Sequence, residues 1–492
     1  MANADGNLAR VAERTHERLG DYESLRFEDR WFRSAELHKR AARLAGGLRA
    51  LGVNPGDRVV VLMANCPEVG IAYEAIWRAG AVVTPAIFLL PPAELAHIVH
   101  DSGATIVLAT PELAGNANEA AGGATVVTTD AFSWLEQADP SSIVPRAAAD
   151  PAALLYTGGT TGRAKGVLLS HENLWFAGKA GHDSGHVPGV VRGLLALPLS
   201  HAYGLLVTVV GFHAVEPHPS VLMRWFDPER CLELLQEHRT QITAMVPSML
   251  QLILTMPVED YDLSELRYVV SGGAPLPTEV AETLLRRLPQ LELREGYGLT
   301  ETAGLVSSTP PGGARLGSVG KPASGVEVRI DGDGEVGEIC VRSRSVMLGY
   351  WQSPELSDET IRDGWLHTGD LGYLDGDGYL YVVDRKKDLI IRGGFNVFPR
   401  DVEEALLEHP AVAAAGVVGR ADEAHGEEVV AFVELRSGEE VAEDELVAWS
   451  KDRIGGYKYP REAHIVPSLP LTPVGKIDRK ALRARVLEEA HA

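Results

Sequence analysis

The sequence predicts an α/β chain of more than one domain, on three observations. Apolar runs suited to buried strands alternate with helical apolar spacing from about residue 33 to residue 300. From 315 the texture changes to short runs broken by Asp-Gly turns, which reads as hairpins and a small barrel or sheet. After Arg385 a second, smaller α/β pattern begins. At 492 residues the chain also exceeds what one hydrophobic core organises.

The elements follow in order. Residues 33–52 carry apolar side chains at helical spacing and stop at Gly52. "DRVVVLMA" is a continuous apolar run, suited to a strand buried on both faces. "PEVGIAYEAIWRAGA" reads as helix, "VVTPAIF" as strand, "PPAELAHIVHDSG" as helix and "ATIVLAT" as strand. The Ala- and Gly-rich residues 110–150 read as a loose excursion before the strand that opens residues 154–167. "GLLALPLSH", "SVLMRW", the helix "DPERCLELLQEH", "QITAMVP", "LRYVVSGGAPL" and the helix "TEVAETLLRRL" continue the pattern. Past Arg385 come "DLIIRGG", "PRDVEEALLEHP", "VAAAGVVG", "EEVVAFVEL" and "EDELVAWSKDRI". The charged run at 384–388 suggests a boundary, giving domains of 1–384 and 385–492.

A hydrophobic fraction of 45% with 23% charged residues is ordinary for a globular protein. A net charge of −22 argues against sequence-independent nucleic-acid binding, which needs Lys and Arg to neutralise phosphates. Cys66, Cys231 and Cys340 form no CxxC pair, which argues against a disulfide framework or a structural zinc motif. The first residues lack a basic segment followed by an apolar one, and no apolar run is long enough for a transmembrane helix. A cytoplasmic protein is the expectation.

Three stretches carry chemistry. In residues 154–167, Gly158, Gly159 and Gly162 allow successive N–H groups to converge on an anion. Thr157, Thr160 and Thr161 add hydroxyl donors and Lys165 a point charge, so the loop suits phosphate. It is not a Walker A loop, because Gly166 rather than Ser or Thr follows Lys165. A plain glycine-rich hairpin is the alternative. In residues 295–302, Gly296 and Gly298 flank Tyr297, so a purine could stack on its ring against open backbone. Thr300 and Glu301 place a hydroxyl beside a carboxylate, a set suited to phosphate and Mg²⁺; a strand end with a turn is the alternative. Asp370, in Thr-Gly-Asp, precedes Arg385 by fifteen residues. Its carboxylate suits a ribose diol, and the alternative is a cap or turn aspartate.

Together these stretches resemble the adenylate-forming superfamily of acyl-CoA synthetases, nonribosomal adenylation domains and luciferases. The likeness covers nearly the whole chain, from the helix at 33 to the "PLTPVGKIDRKAL" close. It implies a large N-terminal domain of two α/β subdomains plus a β-barrel, and a small mobile α/β C-terminal domain. It implies ATP-dependent activation of a carboxylic acid as acyl-AMP, then transfer to CoA. Thr157, Gly158, Gly159, Thr160, Thr161 and Lys165 would grip the β- and γ-phosphates. Gly273, Ala274, Glu295, Gly296, Tyr297 and Gly298 would hold the adenine side, with Thr300 on the α-phosphate. Glu301, with Thr161, would hold Mg²⁺, and Asp370 and Arg385 the ribose. Lys476 matches the catalytic lysine of adenylation, and Lys387 the hinge. Gly393, Gly394 and Phe395 would line the pantetheine path, with Arg224 (and, at lower weight, Lys458) near CoA phosphates.

The likeness implies an acid pocket around His201, Tyr203, Val207, Gly272, Gly296, Gly304 and Leu305. His201 stands where amino-acid-activating relatives carry Asp, so an amino acid is not the expected substrate. The glycines leave room for a ring or an alkyl chain, and no Lys or Arg stands there to meet a second carboxylate. A monocarboxylic acid is expected, aliphatic of medium or longer chain, or aromatic. Gly158 replaces the usual Ser and Ala164 the usual Pro, which removes one hydroxyl and loosens the loop. A stand-alone ligase loading a carrier-protein phosphopantetheine shares every motif, and a non-enzymatic relative is discriminated by Lys476 and Glu301. A monomer or homodimer is the expected assembly.

Overall fold

The computed structural model describes residues 6–157, 164–472 and 476–489. The chain packs as two compact units. The first is Met1–Pro275 with Leu284–Val328 and Val341–Leu366; the second is Leu276–Thr283 with Arg329–Cys340 and His367–Ala492.

In the first unit a seven-stranded sheet runs Gly349–Tyr350, Lys165–Ser170, Pro151–Thr157, Val82–Pro85, Arg58–Leu62, Ile106–Ala109, Thr125–Thr128. From Pro151–Thr157 to Thr125–Thr128 neighbouring strands are parallel. Val59, Val60 and Val61 are fully buried, as a strand covered on both faces requires. The helix Pro67–Arg78 packs Tyr73 and Trp77 wholly inside, and each ring satisfies its polar atom on backbone: Trp77 Nε1 on the Ala152 carbonyl at 2.9 Å, Tyr73 OH on that of Leu199 at 3.0 Å.

Residues 110–150 are not the loose excursion expected. Helices Pro111–Leu113, Ala114–Ala120 and Phe132–Leu135 fold there, and Thr125–Thr128 adds a parallel edge strand. Ala and Gly depress the apolar signal, yet Ala117 and Ala120 bury themselves against Val107 and Leu95 in one cluster. Small side chains let the elements approach closely.

The second sheet of this unit has nine strands, ordered Lys321–Pro322, Ser307–Ser308, Glu292–Tyr297, Tyr268–Ser271, Ile242–Met245, Gly193–Leu195, Ser220–Leu222, Glu23–Phe27, Arg30–Arg33. Its run from Glu292–Tyr297 to Glu23–Phe27 is parallel throughout.

In the second unit, Phe395–Val397, Ile390–Arg392, Gly426–Leu435 and Val412–Asp422 form a sheet that Glu462–Val466 joins in parallel. Alternation along Gly426–Leu435 sends Val429, Ala431 and Val433 to one core with Val402 and Leu446. Val430 and Phe432 go to another with Leu469 and Leu482. Helices Pro399–Leu407, Glu443–Lys451 and Arg479–Glu489 complete this α/β fold. A further five-stranded sheet is ordered Glu327–Asp331, Gly337–Arg342, Trp365–Leu374, Ile361–Arg362, with Leu380–Arg385 also paired to Trp365–Leu374. Among the described residues no helix is long and apolar enough to cross a membrane.

Candidate active site

The strands Gly193–Leu195, Ile242–Met245, Tyr268–Ser271 and Glu292–Tyr297 run parallel. Beyond their carboxyl ends come His201, Gly272 to Ala274, and Gly298 onward. Open parallel sheets bind ligands along that edge. The segment leading to His201 is held by Asn65, which donates from Nδ2 to the Leu197 carbonyl at 2.8 Å and accepts from Leu199 N at 2.9 Å. His201 is a half-buried helix cap: its Nδ1 accepts from Tyr203 N at 3.2 Å at the start of Ala202–Gly211. The cap fixes the imidazole in place. Close packing behind it demands Gly204, where a Cβ would stand 2.2 Å from the Pro198 carbonyl.

Tyr203 donates from its hydroxyl to the Val270 carbonyl at 3.2 Å, and burial raises its phenol above the ordinary tyrosine range. A Cβ at Gly272 would meet both the Tyr203 ring and the Gly296 carbonyl at 3.3 Å. Val207 lies one helical turn beyond Tyr203 on the same face. A Cβ at Gly304 would meet Leu206 Cβ and the Ala202 carbonyl at 3.3 Å, and Leu305 is buried. Tyr203, Gly272 and Gly296 therefore meet, and Gly304 abuts the helix that carries Tyr203. Gly181, which gave no sequence signal, adjoins Leu305: its Cβ would stand 2.9 Å from Val210 and 3.7 Å from Leu305. A glycine inside a helical pattern carries no local signal of what it faces.

Residues 295–305 bend sharply. Glu295 is bracketed by Thr309, whose hydroxyl accepts from Glu295 N at 3.0 Å and whose N–H donates to the Glu295 carbonyl at 2.9 Å. Tyr297 ends its strand, its carbonyl accepting from Val306 N at 2.8 Å, and a short 3₁₀ turn, Thr300–Thr302, follows. The strand-end-and-turn alternative thus describes the backbone correctly. Gly298 is a glycine because the chain returns on itself there, a Cβ meeting the Gly304 carbonyl at 2.2 Å.

Glu301 sits on that turn. Tyr350 OH donates to Glu301 Oε1 at 2.9 Å, and Lys165 Nζ stands 5.8 Å from the centre of the Tyr350 ring. Burial, then the Glu301 charge, raise the Tyr350 phenol above its usual range, so it stays a donor. Tyr350 gave no sequence signal; strand pairing opposite Val167 brings it here. Thr157 and Lys165 face each other as the last residues before the loop, on antiparallel strands. The flanking strands Pro151–Thr157 and Lys165–Ser170 pair antiparallel. Gly158, Gly159, Thr160, Thr161 and Gly162 lie outside the described residues.

In the second unit, Asp370 is neither cap nor turn. It lies within Trp365–Leu374, paired with Arg385, whose Nε stands 3.1 Å from Asp370 Oδ1. Asp370 is buried and Arg385 exposed. Burial, then Arg385, lower the Lys387 ammonium below the usual lysine range although its side chain reaches solvent. Asp384 accepts from Arg385 N at 2.7 Å and from Arg400 N at 3.0 Å, tying this segment to the helix Pro399–Leu407. Gly393 and Gly394 both adopt positive φ, and exposed Phe395 packs on Tyr457 with ring centres 5.0 Å apart. Lys476 is exposed, beside a neck where Thr472 N donates to its carbonyl at 2.7 Å. The proposed CoA-phosphate cations are both ion-paired: Arg224 with Glu112 at 3.0 Å and Glu28 at 3.2 Å, Lys458 with Asp401 at 2.6 Å.

Residues 12–351 match the AMP-binding enzyme family and residues 401–476 the AMP-binding enzyme C-terminal domain. Among relatives, the feruloyl-CoA synthase of an Amycolatopsis species is 40% identical over 92% of this chain and 93% of its own. The 4-coumarate–CoA ligase 5 of Oryza sativa subsp. japonica is 36% identical over 90% of this chain and 87% of its own. The solved o-succinylbenzoate CoA synthetase of Bacillus subtilis, in complex with its acyl-adenylate intermediate, superposes with a TM-score of 0.85. It is 30% identical and covers 98% of both chains. The chain belongs to the AMP-binding enzyme family, in the acyl-CoA ligase branch of the adenylate-forming superfamily.

Proposed function

We propose that the acid activated here is a planar aromatic monocarboxylate of the hydroxycinnamate class. The reaction class is that of the family: an ATP-dependent acid–CoA ligase forms acyl-AMP with pyrophosphate release, then acyl-CoA with AMP release. The observation that supports the aromatic reading is the glycine-bordered site beside Tyr203. There Gly272, Gly296 and Gly304 contribute no side chains, and Leu305 and Val210 pack around Gly181 without a charge. Relatives named for ferulate, coumarate and succinylbenzoate support it further.

The residue roles follow from charge. Carboxylate and α-phosphate are both anionic, so cations must screen them while the geometry stays in line. Lys165 and Thr157 serve the β- and γ-phosphates, Thr300 the α-phosphate, and Tyr297 the adenine. Asp370 accepts from the ribose hydroxyls, oriented by Arg385. Glu301 suits Mg²⁺: it is a carboxylate whose Oε1 is pinned by Tyr350, the ring that Lys165 Nζ approaches to 5.8 Å, and Mg²⁺ takes few protein oxygens plus phosphates. When bound, the ion neutralises charge on the phosphate oxygens. Lys476 bridges the reacting oxygens in adenylation. Lys387 is the hinge between domains 1–384 and 385–492, whose rotation presents Gly393, Gly394 and Phe395 to the CoA thiol.

A pyrophosphate-release screen over C2–C18 acids, benzoates and cinnamates, with and without CoA, tests this reading. Hydroxycinnamates should give the highest kcat/KM, and acyl-CoA should form. A maximum on an alkyl acid would overturn the substrate class. Gly272→Ala should raise the KM for the acid about tenfold with little change in the KM for ATP, since one methyl in a fitted pocket is worth ~1–3 kcal/mol. The methyl must displace Tyr203 or the Gly296 carbonyl. An equal rise in both constants would place Gly272 elsewhere than the acid slot.

A further inference from the structure

We propose that Asp331, Cys340 and His367 form a second metal site, for a borderline-soft divalent cation of the zinc class. They come from three neighbouring strands of one sheet, Glu327–Asp331, Gly337–Arg342 and Trp365–Leu374. One ligand atom from each lies within 4.8 Å of the other two. Cys340 Sγ stands 3.4 Å from His367 Nδ1. Around a tetrahedral zinc, with Zn–S about 2.3 Å and Zn–N about 2.0–2.1 Å, adjacent sulfur and nitrogen stand about 3.5 Å apart. The spacing is already that of a coordination edge.

The donor set selects the ion. A thiolate and an imidazole with one carboxylate suit zinc-like ions, whereas Mg²⁺ and Ca²⁺ demand oxygen alone. Cys340 is fully buried and Asp331 exposed, so the site is closed on one side and reached from the other. Glu338 lies next to the ligands: its Oε2 is 3.4 Å from His367 Nδ1 and accepts from Lys386 Nζ at 3.0 Å. On binding, the Cys340 S–H bond breaks, the proton leaves to water, and the sulfur lone pair passes to the ion. Burial, opposed by the neighbouring Arg329, holds the thiol above its usual range without the ion, but coordination deprotonates a thiol outright. No CxxC motif marks this site in the sequence, because the sheet rather than the spacing assembles it.

The site touches the nucleotide strand. His367 lies three residues before Asp370, and Thr368 Oγ1 links the strands by donating to the Ile339 carbonyl at 2.7 Å. An ion there would tie together the two strands beside the proposed ribose carboxylate.

The test is titration of the full-length enzyme with Co²⁺ under excess Mg²⁺, reading the thiolate-to-cobalt absorption band. Wild type should show one such site. Cys340→Ser should abolish the band, and His367→Gln should weaken affinity about tenfold or more. Because the Cys340 change touches the core, Asp331→Asn at an exposed position is the second variant. It should also weaken binding about tenfold, with the metal-free melting temperature unchanged. No thiolate band in wild type overturns the proposal. So does a band surviving Cys340→Ser, which would belong to Cys66 or Cys231, or an affinity indifferent to Asp331→Asn.

Discussion

Replacing Lys476 with alanine should slow pyrophosphate release by about 10²–10³-fold, the usual cost of losing one preorganised charge aimed at developing negative charge. Transfer from chemically supplied acyl-adenylate to CoA should stay within a few-fold of wild type. The asymmetry follows from what each step needs. Adenylation brings an anionic carboxylate onto an anionic phosphate, and the proposed ammonium bridges them. Thioesterification has AMP as leaving group and brings no second anion onto the phosphate, so it needs no such bridge. Local structure supports positioning of the lysine: Lys476 N donates to Thr472 Oγ1 at 3.2 Å, and Leu471 bridges Ile477 in antiparallel fashion. The backbone is therefore fixed while four methylenes give reach. Single-turnover assays of the two half-reactions make the measurement. Equal loss in both would contradict a lysine dedicated to the first step.

Glu301→Gln should lower the adenylation rate by about 100-fold and move its Mg²⁺ dependence to higher concentration. The substitution keeps shape and an acceptor for Tyr350 OH, so the turn at Thr300–Thr302 should survive and the lost quantity is charge. Tyr350→Phe is the control. It removes one hydrogen bond to a carboxylate, worth ~1.5–3 kcal/mol at most where it is fully desolvated and less at this half-buried position. Its effect should be well below that of Glu301→Gln. A Mg²⁺ titration of initial rates reads both. Unchanged Mg²⁺ dependence in Glu301→Gln would remove this carboxylate from the metal site.

Much of the fold could be read locally. Val59 to Val61 as a doubly covered strand, Ser34–Ala50 as a helix and the Asp-Gly hairpins each follow from side-chain periodicity, which a short window contains. Residues 110–150 could not be read so, because alanine and glycine are nearly silent in periodicity and declare themselves only when a neighbour packs on them. The glycines show the same division. Gly298 was read as open backbone for a purine, yet its first demand is room for the Gly304 carbonyl, set by a turn six residues on. Tyr350 and Gly181 were invisible for the complementary reason. One is placed by strand pairing across nearly two hundred residues of chain, the other by a helix–helix contact.

By itself the sequence determined the α/β class and the likeness to adenylate-forming enzymes, and it supplied, in order, the stretches proposed for phosphate, adenine and ribose. These reside in short contiguous stretches whose chemistry depends on residue type and spacing. Tertiary structure alone decided that His201 is a helix cap and that Tyr350 pins Glu301 beside Lys165. It also decided that Asp370 meets Arg385 across two strands, and that Asp331, Cys340 and His367 gather on one sheet. Each is a contact between residues distant in sequence or oriented by burial, and side-chain geometry of that kind exists only once the chain has packed.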